Sequence, residues 1–490
     1  MSRATEAATI PTTPAAPTGR IVPAGGAVSA ATRRAVYDVN ERPPVSRLIP
    51  LGLQHLFAMF GATVLVPILT GLNSSVALLT AGLGTLLFIL ITGGKVPAFL
   101  GSSFAFIAPI IAISQAYGAS YALGGAVAVG LLYAVVAGVI RAVGTNWIDR
   151  VLPPVVVGPI IMVIGLGLAG SVIGAAGLNQ AGLSLSDVNV QIVLFTVAAT
   201  AAATGFLRGF FGLIPILVGL TSGYVFALLR AAVDFTPVIS ASWLALPQVQ
   251  FPAFSWAAIA AMLPVSIVTL AEHLGDVLVL SSVTGRNFPK NPGLHRTILG
   301  DGLATALAGL LGGPPNTTYG ENVGVMAVTR VYSVWTIGTA AVFAIALSFI
   351  GKMGALLQTI PSPVITGMSI VLFGTIAASG MRNLIQNQVD FGQRRNLVIA
   401  SVILVLGIGG AKLSIGSVHL EGMALAALAG VLLNLIMPGE KTKAQVVSTM
   451  VGGVEARTDG EVECVAEGET GAAAEVAATA ETRLNDNVRR

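Results

Sequence analysis

Between residues 48 and 437 the chain is a succession of long apolar runs, broken by short clusters of Gly, Pro and charged residues. A helix needs about 20 apolar residues to cross the hydrocarbon of a bilayer. By that measure the pattern predicts crossings over 49–70, 75–93, 97–117, 120–143, 152–174, 190–207, 212–231, 254–283, 297–311, 314–331, 333–350, 361–380, 395–412 and 419–437. Fourteen segments are expected, or thirteen or twelve if neighbours merge. One stretch breaks the pattern: residues 315–322 read Pro-Asn-Thr-Thr-Tyr-Gly-Glu-Asn between apolar flanks. Irregular backbone at membrane depth must be buried in protein or line a cavity. An ionisable residue there marks a functional site. Glu321 therefore points to a transporter.

The flanks read differently. Residues 1–47 are rich in Ala, Pro and Thr, and residues 438–490 are polar, with acids from Glu455 to Glu469. Neither carries a periodic apolar pattern that could build a core, so two disordered tails are expected. No apolar stretch follows Met1, so no cleavable signal peptide is expected. Only 10% of the 490 residues are charged and 54% are hydrophobic, against roughly 25% charged in soluble domains. This is the composition of a polytopic membrane protein. The single cysteine, Cys464, rules out an internal disulfide or a cysteine-rich metal site.

Positive charge in short loops sets orientation. With both termini placed in the cytoplasm, Lys95, Arg141, Arg150, Arg208, Arg286, Lys290, Arg296, Arg330, Arg382, Arg394 and Arg395 fall on the inner side. Only Arg230, Lys352 and Lys412 fall outside. The expectation is a multi-pass protein of the inner (plasma) membrane. The net charge of +4 is thus placed for topology, and no nucleic-acid partner is implied.

The chain also resembles itself. Pro154-Val155-Val156-Val157-Gly158, with Gly165 beyond, matches Pro363-Val364-Ile365-Thr366-Gly367 with Gly374, 209 positions later. Gln54-His55 finds Glu272-His273 at an offset of 218, and Ser102-Ser103-Phe104 finds Thr317-Thr318-Tyr319 at 215. Three pairs in one order predict two halves of seven segments, over about 48–233 and 254–437. An odd number of crossings inverts the second half, the architecture that supports alternating access. The substrate site is then expected near the midplane, where the interrupted third and tenth segments meet.

At these motifs the chain resembles the nucleobase–ascorbate (nucleobase:cation symporter) family, and within it the bacterial uracil permeases. The resemblance rests on Gln54-His55, residues 101–106 (Gly-Ser-Ser-Phe-Ala-Phe), residues 271–275 (Ala-Glu-His-Leu-Gly) and residues 316–324 (Asn-Thr-Thr-Tyr-Gly-Glu-Asn-Val-Gly). Residues 301–305 (Asp-Gly-Leu-Ala-Thr) add to it, and it covers roughly 45–437. It implies an all-α polytopic fold with short strands in the third and tenth segments. A core domain would take 48–143 and 254–350, and a gate domain 144–233 and 351–437. Proton-coupled uptake by a homodimer is implied as well. Carried over by position, Glu272 and Glu321 would contact the base, Phe104 would stack on it, and the backbone at Tyr319 and Gly320, with Ser103, would line it. Asp276 stands where some uracil permeases have His and purine carriers often have Asp. The Tyr-Gly-Glu-Asn run resembles the pyrimidine branch.

The residue chemistry suits a flat heterocycle. A carboxylate accepts from ring N–H groups, and backbone N–H groups at helix starts donate to ring carbonyls. Aromatic stacking is worth about 1–3 kcal/mol per base in nucleic-acid binders. Glu272 and Asp276 lie four apart on one helix face, and close carboxylates in low dielectric disfavour double ionisation. Proton coupling is therefore assigned to Glu272, with Asp276 and His273 as further candidates. Plainer roles compete: Asp276 bonding a Ser/Thr hydroxyl, Glu321 compensating a helix start, Phe104 packing in the core, and His55 and His273 making interhelical bonds. Asn322 is expected to hold the break together, and Asp301 to cap a helix. His295 and His419 carry no functional expectation. No metal, cofactor or phosphate-loop pattern is present, which argues against an enzyme or an ATP-driven pump. A purine permease of the same fold is the alternative reading, followed by an anion exchanger, which two acids in the site would oppose. A channel or membrane enzyme stands further off.

Overall fold

In the computed structural model the described residues are 35–175, 177–179, 184–415 and 418–438. The expected disorder of residues 1–34 and 439–490 lies outside them.

Helices dominate, because in hydrocarbon a helix satisfies its own backbone. The first half begins with α1 (Val45–Thr70) and α2 (Ser74–Ile91). Strand β1 (Leu100–Ser102) and a single turn at Phe104–Phe106 then lead into α3 (Ile107–Tyr117). Next come α4 (Ala119–Val143), α5 (Asn146–Val151), α6 (Pro154–Ala175), α7 (Val188–Phe206) and α8 (Pro215–Leu229). A short α9 (Thr236–Ser240) precedes α10 (Trp256–Met262), α11 (Val265–Thr284) and α12 (Leu294–Leu311). Strand β2 (Asn316–Thr318) opens α13 (Gly320–Thr329), followed by α14 (Val334–Ser348), α15 (Gly351–Gln358), α16 (Ser362–Gln386) and α17 (Arg394–Ile408). The hairpin β3 (Lys412–Ile415)–β4 (Val418–Glu421) leads to α18 (Gly422–Ile436).

Seven of these stretches are long and apolar enough to cross a membrane, among them α1, α2, α4, α7 and α16. The chain is a mostly helical, multi-pass membrane protein. Packing falls into two groups. In one, α4 lies on α12, and α2 on α14 and α12; in the other, α6 lies on α16 and α17, and α7 on α8. Both main crossings are made by small residues, which let backbones approach without help from water. Gly130 meets the Gly302 carbonyl where α4 crosses α12, and Gly158 meets the Gly380 carbonyl where α6 crosses α16.

Several boundaries differ from the apolar pattern. The run at 254–283 is broken by Pro264, which caps α11 and separates it from α10. The run expected from 419 becomes helix only at Gly422, because β3–β4 occupies the approach. The expected free N-terminal tail to residue 47 also needs correction. Residues 36–41 are stitched to the loop after α13: Val36 N–H donates to the Arg330 carbonyl, Tyr332 N–H to Tyr37, Val334 N–H to Val39, and Ser333 Oγ to Glu41. Alternating apolar side chains explain the docking, since Val39 is wholly buried while its neighbours face out. Asp38 ties the segment to Arg286 at 2.6 Å. Partial burial works to raise the Asp38 carboxyl, but the Val39 N–H and Arg286 outweigh it and hold it below the ordinary aspartate range.

The two interrupted segments meet through their strands. β1 and β2 run antiparallel, with Leu100 opposite Thr318, Gly101 opposite Thr317 and Ser102 opposite Asn316. Two strands of three residues leave backbone groups unpaired, which is costly at this depth. Neighbouring helices supply the partners. Thr85 of α2 both accepts from Leu100 N–H and donates to its carbonyl, at 2.9 and 3.2 Å. Thr305 of α12 donates to the Asn316 carbonyl at 2.8 Å, and the Asn316 amide donates to Thr80 at 3.1 Å.

Gly101 is fixed by close approach. A Cβ there would lie 2.5 Å from the Tyr319 ring and 2.8 Å from Thr63 Oγ1. Overpacking of this kind costs about 1–3 kcal/mol. Gly101→Ala should therefore lower the thermal unfolding midpoint of the purified protein, whereas Gly138→Ala, whose Cβ would meet no described residue within 4 Å, should not.

Candidate functional site

The strand pair aims two helix starts at one region. Ser103 follows β1 and opens the turn that carries Phe104; Tyr319 follows β2 and is the N-cap of α13. The first turn of α13 holds Gly320 and Glu321, so a carboxylate sits at the positive end of a helix. Helix α11 packs against this assembly, touching β2, α13 and the Phe104 turn. It brings Glu272 within electrostatic reach of Asp276, Glu321 and Asp301.

Each expected side chain can now be placed. Glu272 and Glu321 are half-buried on facing elements. Glu272 Oε2 is buried and has no hydrogen-bond partner among the described residues, and neither does Ser103 Oγ. Buried polar atoms are rarely left so without a role. Gly320 is exposed, and the nearest atom to a Cβ built there is Asp276 Oδ1 at 3.6 Å, so its backbone is open to approach. Phe104 is buried and meets the Phe373 ring edge-on, with centroids 6.4 Å apart. Phe373 lies on α16, in the other packing group.

Other residues are engaged structurally. Thr318 Oγ1 donates to Asp276 Oδ2 at 2.8 Å, the plainer role weighed for that acid. The Tyr319 hydroxyl donates to the Ser102 carbonyl at 2.9 Å and lies 3.2 Å from Thr63 Oγ1. Tyr319 thus ties the two interrupted segments to α1 through its side chain, leaving only its backbone beside Gly320. The Asn322 amide lies 3.1 Å from both Nδ1 and the carbonyl of His55, pinning α13 to α1.

His273 points away from its neighbour Glu272. It is fully buried, with Nδ1 3.2 Å from Asp301 Oδ2 and Phe88 edge-on at 6.3 Å. Asp301 was expected as a helix cap; it sits instead inside α12, fully buried. The sequence signal for it was available, since an acid in an apolar helix needs a partner. Phe373 and the His273–Asp301 pair are the neighbours that a linear reading missed.

A family profile described as "Permease family" matches residues 46–416. The chain belongs to this family. The permease is 55% identical over 417 residues to the uracil permease of Bacillus caldolyticus, covering 84% of this chain and 96% of that one. It is 50% identical to the uracil permease of Bacillus subtilis (strain 168), covering 82% and 95%, and 48% identical to that of Escherichia coli (strain K12), covering 83% and 94%. Among solved structures, the transmembrane domain of the cyanobacterial bicarbonate transporter BicA matches with a TM-score of 0.56 at 16% identity, over 78% of this chain and 97% of that one. Murine Slc26a9, an anion transporter in its inward-facing state, matches with a TM-score of 0.62 at 9% identity, over 81% and 68%. At such identities the permease shares their fold; nothing about its substrate follows.

Proposed function

We propose that this permease imports uracil by proton symport with alternating access. The observation that carries the reading is that Glu272 on α11 and Glu321 at the start of α13 lie on packed elements within electrostatic reach of each other, with the backbone of Gly320 open beside Asp276. Uracil offers N–H donors to the carboxylates and carbonyls to the N–H groups at the start of α13. Phe104 supplies a ring face, and Ser103 a further polar contact. The names of relatives 48–55% identical over nearly their whole length support the pyrimidine assignment. Proton coupling is assigned to Glu272, with Asp276 and His273 as its partners. Asp276 is bonded to Thr318, and His273 reaches Asp301, which extends the set of acids.

In this reading the shorter helices cross as well, α10 and α11 count as one crossing, and β1–α3 and β2–α13 are one each. Fourteen crossings then form two inverted halves of seven. The core comprises 48–143 and 254–350, and the gate 144–233 and 351–437. The gate, through Phe373, moves against a core that holds the base. The protein works as a homodimer in the inner membrane, with both termini cytoplasmic.

The test is uptake of labelled uracil by cells that lack their own carrier. Expression of this chain should confer saturable uptake that excess unlabelled uracil abolishes and xanthine leaves intact. Strong inhibition by xanthine with weak uracil uptake would assign the purine branch instead, and flux without saturation would indicate a channel.

A further inference from the structure

Away from the strand pair, the loops beside α11 and α12 line a half-open cavity of about 330 Å³. Three separate stretches build it: Asn40 of the docked N-terminal segment, Lys95 ahead of β1, and residues 286–291 between the two helices. Among the described residues its lining holds three cations, Lys95, Arg286 and Lys290, and no acid. The other polar walls are the carboxamides of Asn40, Asn287 and Asn291, over a buried Phe288.

Charge is unevenly compensated there. Arg286 is offset by Asp38 at 2.6 Å. Lys95 Nζ instead donates to Asn291 Oδ1 at 2.8 Å, a neutral partner that orients the ammonium without cancelling its charge. A water molecule's share of liquid volume is about 30 Å³, so the cavity has room for roughly ten, ample for a tetrahedral anion. Ammonium groups are effective point-charge binders of phosphate, and carboxamide N–H groups add donors. Basic pockets at the ends of membrane helices also take anionic lipid headgroups.

We propose that this cavity is a phosphate-binding site, taking either a soluble phosphate or the phosphodiester of an anionic lipid. Its position gives binding a consequence. A bound phosphate would bridge the chain leading into β1 to the end of α11, joining the two stretches that carry Phe104 and Glu272. The site does not depend on the nature of the transported solute.

The test uses the purified full-length chain. Thermal unfolding is measured with rising inorganic phosphate against chloride at equal ionic strength. Lipid retention is measured by native mass spectrometry after reconstitution in phosphatidylglycerol or phosphatidylcholine. A saturable phosphate-dependent rise in midpoint would identify a soluble ligand, and selective retention of phosphatidylglycerol a lipid one. Lys95→Gln with Lys290→Gln should weaken whichever response is seen about tenfold or more, while Lys95→Arg with Lys290→Arg preserves it and controls for folding. No saturable or selective response in either arm, or a Gln double variant that responds like the native chain, would overturn the proposal.

Discussion

Replacing Glu321 with Gln should weaken uracil binding about ten- to a hundredfold and leave folding and membrane insertion intact. The magnitude follows from the interaction removed. A hydrogen bond to a charged group contributes about 1.5–3 kcal/mol, and every 1.4 kcal/mol is tenfold in affinity. The Gln amide keeps one acceptor but places an NH₂ donor where the second carboxylate oxygen stood, opposite a ring N–H. Glu321 is half-buried in the first turn of α13, so the isosteric change removes charge without opening a void. Titration of the purified variant with uracil measures the effect. Native affinity would remove Glu321 from the binding site.

Glu272→Gln should separate binding from coupling. Each proton moved down a one-unit pH gradient supplies about 1.4 kcal/mol, enough for roughly tenfold accumulation in a one-to-one symporter. If Glu272 carries that proton, vesicles holding the variant should fail to concentrate uracil above its outside level when a gradient is imposed. Counterflow exchange of labelled for unlabelled uracil should persist once uracil is raised to offset the lost carboxylate contact, because exchange needs no net proton movement. Continued gradient-driven accumulation would shift the coupling site towards the fully buried His273–Asp301 pair.

How much of this was legible follows from what each signal depends on. Glu272 and Glu321 stood out because a carboxylate in an apolar run is visible residue by residue. Gly320 stood out because a Gly beside such an acid breaks the same pattern. Asn322 was expected to hold the break together, and it lies against His55. Interactions set by helix crossings were not readable. His273 meets Asp301 only because α11 lies beside α12, and Phe104 meets Phe373 only because α16 comes up to the turn after β1. Strands of three residues are too short to show alternation, so nothing in the apolar pattern distinguishes Leu100–Ser102 from the helix that follows. The docked segment at 36–41 was hidden by averaging, since its Ala-, Pro- and Thr-rich neighbours dilute the alternation that buries Val39.

The ladder between β1 and β2 has an evolutionary corollary. Three backbone pairs, sealed by Thr85, Thr305 and Asn316, weld segments more than two hundred residues apart into one piece. Hybrids exchanging only one of the two with a paralogue would inherit a mismatched seam. New selectivity is therefore best sought by transplanting both together, along with the threonines that clasp them.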